Sequence, residues 1–159
     1  VLMGVVKLLN NDYPLQSSLL FTLFSTRKCY MINISGFNYD NAIEDPVVGI
    51  SIAEMFKKEG LQAYGTRVEQ GKRVSCHSHA QDEEWYIILS GEGAIWTADV
   101  IDGELKNKRV DVFAKGSVFC IYPNTAHQLA AKTDVEFIFL CPQSHITRDR
   151  ILFDDIVAE

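Results

Sequence analysis

Residues 71–91, GKRVSCHSHAQDEEWYIILSG, decide how this chain is read. His77 and His79 stand two residues apart in the first half, and an apolar run follows Glu83 and Glu84 in the second. On an extended strand alternate side chains share a face, so both imidazoles aim into one space while Cys76 and Ser78 point away. A carboxylate returning on the next strand adds an oxygen donor. A third imidazole from a distant strand, His127, would complete three nitrogens and one oxygen. Such a set suits a divalent transition ion and leaves coordination positions for water, oxygen or substrate. His145, the fourth histidine of the chain, lies outside the pattern and reads as structural.

Outward from this stretch, short apolar runs alternate with turn signals from residue 47 onward, the mark of an all-β sandwich or barrel. Strands are expected at 47–55, 61–68, 73–79, 84–89, 94–101, 110–113, 117–122, 127–131 and 135–141. Asp102-Gly103 reads as a tight hairpin turn, because its glycine accepts the positive φ such turns require. In strand 84–89, Tyr86 and Ile88 share the face of Glu84, and Trp85, Ile87 and Leu89 take the other. With apolar residues on both faces, this strand is expected to be buried on both sides. Tyr86 is a pocket candidate beside the ligands, with plain core packing as its other role.

Gly71, His77, His79, Glu84 and Gly91 reproduce a glycine, five residues, His-x-His, four residues, glutamate, six residues and glycine. In this the chain resembles the cupins, whose first motif has that spacing. Glu84 fits every interval, whereas Glu83 would leave seven residues before Gly91. The second cupin motif is matched at Gly116 and His127. Tyr122 stands in place of its proline, Asn124 in place of its second glycine and Ala131 in place of its asparagine. Asparagine also accepts positive φ, so Asn124 is a mild departure.

The resemblance implies an all-β, cupin-type double-stranded β-helix or jelly-roll barrel with an N-terminal extension. Residues 1–45 would be an arm packing on the barrel or a partner subunit, and 46–159 a single barrel domain with a short tail. It also implies metal ligands His77, His79, Glu84 and His127, one divalent ion (Fe, Mn, Ni, Cu or Zn) and a homodimer.

Composition sets the outer bounds. At 159 residues and 47% hydrophobic, the chain is long enough to bury one core without staples. A net charge of -6 argues against nucleic acid or an anionic membrane surface as partner. No apolar run approaches the roughly 20 residues needed to span a bilayer. Cys29, Cys76, Cys120 and Cys141 form no Cys-x-x-Cys pair and read as reduced thiols, which with the absence of a leader pattern points to the cytoplasm. The tail from residue 146 is expected to dock on the surface as a short helix or strand, without chemistry.

The favoured function is a small metalloenzyme acting on a small polar substrate, an oxygenase or a sugar-phosphate or keto-type isomerase. A non-catalytic sugar- or carboxylate-binding cupin is the alternative. A metal-free nucleotide-sugar epimerase ranks last, having little use for three inward histidines and a glutamate. Arg67 and Arg73 near the first motif are conceivable anion anchors, with a solvated surface role as the commoner fate of such residues.

Overall fold

The computed structural model describes Ile32 and residues 34–157. Most of the expected N-terminal arm and Cys29 lie outside the described residues. All elements below belong to the compact unit Ile34–Glu159. A 3₁₀ turn, Tyr39–Asn41, precedes strands β1 (Ile43–Asp45), β2 (Ile50–Lys58), β3 (Leu61–Val68), β4 (His77–Ser78), β5 (Glu84–Ser90) and β6 (Glu92–Ile101). Strands β7 (Glu104–Ala114), β8 (Val118–Ile121), β9 (Thr125–Ala131) and β10 (Val135–Cys141) follow, then helix α1 (Gln143–Thr147) and strand β11 (Ile151–Leu152).

The strands form two antiparallel sheets in the jelly-roll arrangement, ordered β1-β2-β3-β10-β5-β8 and β11-β4-β9-β6-β7. Strand β10 shows why the sheets close on one core. Val135, Phe137, Phe139 and Cys141 alternate inward at 3% exposure or less, and the residues between them are half-buried. With Ile88 and Leu129 they make a continuous apolar interior, each large side chain contributing about 1.5–3 kcal/mol by leaving water. The core lies between the sheets, and the histidines reach into it from the second.

Four departures from expectation have local causes. Strand β2 starts at Ile50, not residue 47, because the Gly49 amide donates to the Asp45 carbonyl at 2.9 Å and Gly49 adopts φ +73°, turning the chain first. The expected strand 73–79 is mostly irregular: only His77–Ser78 is laddered, with an isolated bridge at Arg73. Strand β7 runs from Glu104, well before residue 110, because as an edge strand it is solvated on both faces and carries charges in place of alternation. The outer face of β5 is not fully buried, since Trp85 stays 42% exposed.

The turn expected at Asp102-Gly103 joins β6 to β7 with φ +54° and +79°, and Asn124 adopts φ +59° as its glycine-like placement requires. Cys76, Cys120 and Cys141 are free thiols. Among the described residues no helix is long and apolar enough to cross a membrane.

Candidate metal centre

His77 on β4 and His127 on β9 are direct partners in the β4–β9 ladder, with ring centroids 4.3 Å apart. His79 follows β4 by one residue, and its ring lies 5.1 Å from that of His77. His77 and His127 belong to the second sheet, and His79 stands at its edge directly after β4. Glu84 opens β5 in the first sheet, so the group spans the sandwich. Donor atoms of His77, His79, Glu84 and His127 all lie within 4.8 Å of one another, and all four residues are buried. The spacing of the first motif and the distant histidine are thus brought together.

Backbone carbonyls settle which nitrogen faces inward. Nδ1 of His77 lies 2.8 Å from the Ser75 carbonyl, Nδ1 of His127 lies 3.2 Å from that of Thr125, and Nδ1 of His79 meets that of Asp149. A carbonyl only accepts, so each Nδ1 carries the proton and donates it. Each Nε2 is left with a lone pair, the form in which imidazole binds a metal, and the carbonyls fix the ring orientations.

Those inward atoms have no other use. Nε2 of His79 and of His127 each lie 3.3 Å from Oε2 of Glu84. All three atoms are buried without a well-formed hydrogen bond. Orphaned polar atoms at full burial cost about 1–3 kcal/mol each unless something satisfies them. Ligands about 2.1 Å from one ion lie about 3.0–3.4 Å apart for angles between octahedral and tetrahedral. The two separations of 3.3 Å from Glu84 fall in that range.

For His77 the electrostatics favour the same protonation state. Burial pushes the His77 imidazole well below its usual range, and the neighbouring His127 adds to this, so His77 stays neutral. Burial alone would raise the Glu84 carboxyl, and it is held well below the usual carboxylate range only where hydrogen bonds or positive charge from the His127 and His79 side meet it, a part that a cation fills when each Nε2 is bare. Burial, reinforced by the charge of Glu84, keeps the Tyr86 hydroxyl and the Cys141 thiol protonated. Cys141 is thereby disfavoured as a thiolate ligand, although it lies near Glu84 and His145.

A cavity of about 20 Å³ beside His77, His79 and Glu84 is walled in part by Val48, Tyr86 and Phe137. That is room for about one water molecule. Tyr86 lines it and also stacks on Phe119 at 5.0 Å, so pocket and core roles coincide.

The tail does more than dock. The His145 ring stacks on that of His79 at 3.8 Å, nearly parallel, and its Nε2 lies 2.7 Å from the Gln81 carbonyl. Asp149 accepts hydrogen bonds from the Ala80 and Gln81 amides at 2.8 and 3.0 Å. Strand β11 pairs with β4. Residues 145–152 therefore fix the loop that carries His79, a role the sequence pattern does not signal.

The remaining candidates lie elsewhere. Glu83 is exposed and accepts from the Trp85 indole at 3.1 Å. Arg67 and Arg73 are half-exposed surface residues paired with Asp134 at 2.6 Å and Asp155 at 2.5 Å.

Residues 66–142 match the family model described as a cupin domain. No curated protein matches the chain. The capsular polysaccharide assembling protein CapF from Staphylococcus aureus is 18% identical, with a TM-score of 0.58 over 72% of this chain and 31% of that one. An uncharacterized protein with a double-stranded beta-helix domain from Klebsiella pneumoniae is 13% identical, with a TM-score of 0.57 over 77% of this chain and 100% of that one. Oxalate decarboxylase from Bacillus subtilis, described with Mn(II) centers, is 20% identical, with a TM-score of 0.54 over 70% of this chain and 29% of that one. The chain thus spans about a third of the length of CapF and of the decarboxylase. At these identities the likeness is one of fold.

Proposed function

With its cupin domain over residues 66–142, this chain belongs to the cupin family, and from that premise we propose that it is a metal-dependent enzyme acting on a small polar molecule. In this reading one divalent transition ion is held by His77, His79, Glu84 and His127. The observation that carries it is the set of buried, unpartnered atoms His79 Nε2, His127 Nε2 and Glu84 Oε2, which converge while backbone carbonyls hold the imidazole protons on the far side.

When bound, such an ion supplies a Lewis acid that polarises a carbonyl or acidifies water and, if redox-active, supports oxygenase chemistry. Fe, Mn, Ni, Cu and Zn all accept imidazole and carboxylate donors, and the Mn(II) centers of the Bacillus subtilis decarboxylase support manganese among them. The chain's own residues prepare the site. His77 stays neutral, so its inward nitrogen is open to a metal without loss of a proton. Tyr86 offers a hydroxyl that remains a donor at neutral pH. Val48, Phe137 and Phe139 keep bulk water from the cavity, which strengthens every charge interaction inside it.

Isomerase and oxygenase chemistry are separated by oxygen uptake with candidate substrates on the Fe- or Cu-loaded protein. The metal reading itself is tested by stripping the protein with a chelator and reloading each of the five ions. The midpoint of thermal unfolding should rise with at least one ion, and the rise should vanish in Glu84→Ala. No rise with any ion would contradict it.

A second reading is a binding protein whose metal holds a ligand without turnover. Ligands that raise the thermal midpoint yet survive long incubation unchanged would favour it. A homodimer and a cytoplasmic location remain part of the proposal, and sedimentation of the full chain checks the first.

A further inference from the structure

Two cavities meet at one ion pair. The inner one lies beside His77, His79 and Glu84. An outer one of about 650 Å³ opens beside β1 and β2, with α1 on its other side. Asp45, Ile52, Ile146 and Arg150 line both, so Arg150 stands where the outer space adjoins the inner. Its side chain is 11% exposed, and that of Asp45 is 12% exposed.

The pairing uses only part of the guanidinium. Nη1 alone reaches both carboxylate oxygens of Asp45, at 3.2 and 3.0 Å. Nε is buried with no hydrogen-bond partner among the described residues. A guanidinium presents Nε–H and a neighbouring Nη–H as two parallel donors, the geometry that grips a carboxylate by both oxygens. A buried N–H without a partner is costly, so its retention calls for something that fills it. The charge of Arg150 also reaches the inner wall, where it opposes the upward shifts of Tyr86 and Cys141.

Other charges on the outer cavity are solvated. Lys57 and Glu54 are each 52% exposed and lie 3.8 Å apart at its rim, and Glu44 is exposed. Water and salt screen such groups, whereas the guanidinium acts from a desolvated position.

We propose that Arg150 anchors a small organic carboxylate taken up through the outer cavity, with its Nε edge gripping the carboxylate and Asp45 remaining on Nη1, so that the rest of the ligand faces His77, His79 and Glu84. The proposal rests on the metal reading for what happens at that inner end, and it names the substrate class as a carboxylic acid.

The test is calorimetric titration of the full chain, metal-loaded and chelator-stripped, with acetate, malonate and succinate, and with malonamide and succinamide as uncharged counterparts. Asp45→Asn with Arg150→Gln replaces the ion pair by neutral groups of similar shape and strands no buried charge. Lys57→Gln is the rim control. At least one acid should bind both forms of the wild type, its amide should not, and the double variant should lose about tenfold or more in affinity while Lys57→Gln stays within about twofold. Binding of no acid, equal binding of acid and amide, or wild-type affinity in the double variant would overturn the anchor. Acid binding that needs metal but ignores Arg150 would overturn the anchor and leave the metal reading standing. Arg150-dependent binding by a protein that takes up no ion would uphold the anchor and remove the metal reading.

Discussion

His77 and His127 face each other as a cross-strand pair between β4 and β9, their rings 4.3 Å apart and each Nδ1 tied to the carbonyl two residues back along the chain. This register joins the two motifs of the sequence at one point. A slip of one residue in either strand would turn that imidazole to the opposite face, so the ladder and the donor set stand or fall together.

Glu84→Ala should weaken metal binding by several orders of magnitude, because it removes a buried carboxylate facing two imidazoles. Glu83→Ala should change it less than about threefold, since Glu83 is exposed and its carboxylate meets the Trp85 indole and the Cys120 thiol, not the imidazoles. Competition titration with a chromogenic chelator measures both, and the reverse ranking would show that the other glutamate is the ligand.

Asp149→Ala should cut metal affinity by about 10–100-fold without touching a ligand. Its carboxylate holds the Ala80 and Gln81 amides, which set the loop directly after His79. The same titration checks this, with circular dichroism to confirm the fold. Unchanged affinity would mean that the tail plays no part in placing His79.

Gly91→Ala should destabilise the fold by about 2 kcal/mol or more, because a Cβ there would land on the Asp134 carbonyl at a φ of +81°. Gly103→Ala has a similar φ of +79° but open space, and should cost only about 1 kcal/mol. Urea denaturation of the two variants gives the comparison, and equal losses would locate the effect in backbone conformation alone.

Stability of the chelator-stripped protein should fall as pH drops below about 6.5, the ordinary histidine value. The His77 pKa is lowered in the folded chain, so the unfolded chain binds the proton more readily. Stability therefore rises with pH up to the unfolded value and is lost below it. Acidification from pH 8 to 5 should lower the urea midpoint in wild type and lower it less in His77→Gln. Identical slopes would show that His77 is not held neutral by burial.

The strands were legible in the sequence wherever one face is buried. Residues 84–90 and 135–141 stand out as apolar runs bounded by turn signals, their burial alternating because the sandwich has an inside, and Asp102-Gly103 shows its turn by residue type alone. Of strand β7 only residues 110–113 stand out in the sequence, because an edge strand solvated on both faces has no reason to alternate. His77 and His79 were legible as a pair because extended geometry converts spacing into direction, while Glu84 and His127 were legible through the resemblance to the two cupin motifs. His145, Asp149 and the Asp45–Arg150 pair carry no such signal: the last two lie 105 residues apart and meet only through tertiary folding. Arg67 and Arg73 sit closer to the motif in sequence but on the surface in space, whereas Arg150, distant in sequence, is buried beside the site.

The most direct measurement is metal content by plasma mass spectrometry on protein purified without a polyhistidine tag, wild type beside His77→Ala. The account predicts close to one equivalent of iron, manganese, nickel, copper or zinc in the wild type, lost in the variant. No metal in the wild type even after reconstitution, or equal metal in both, would contradict it.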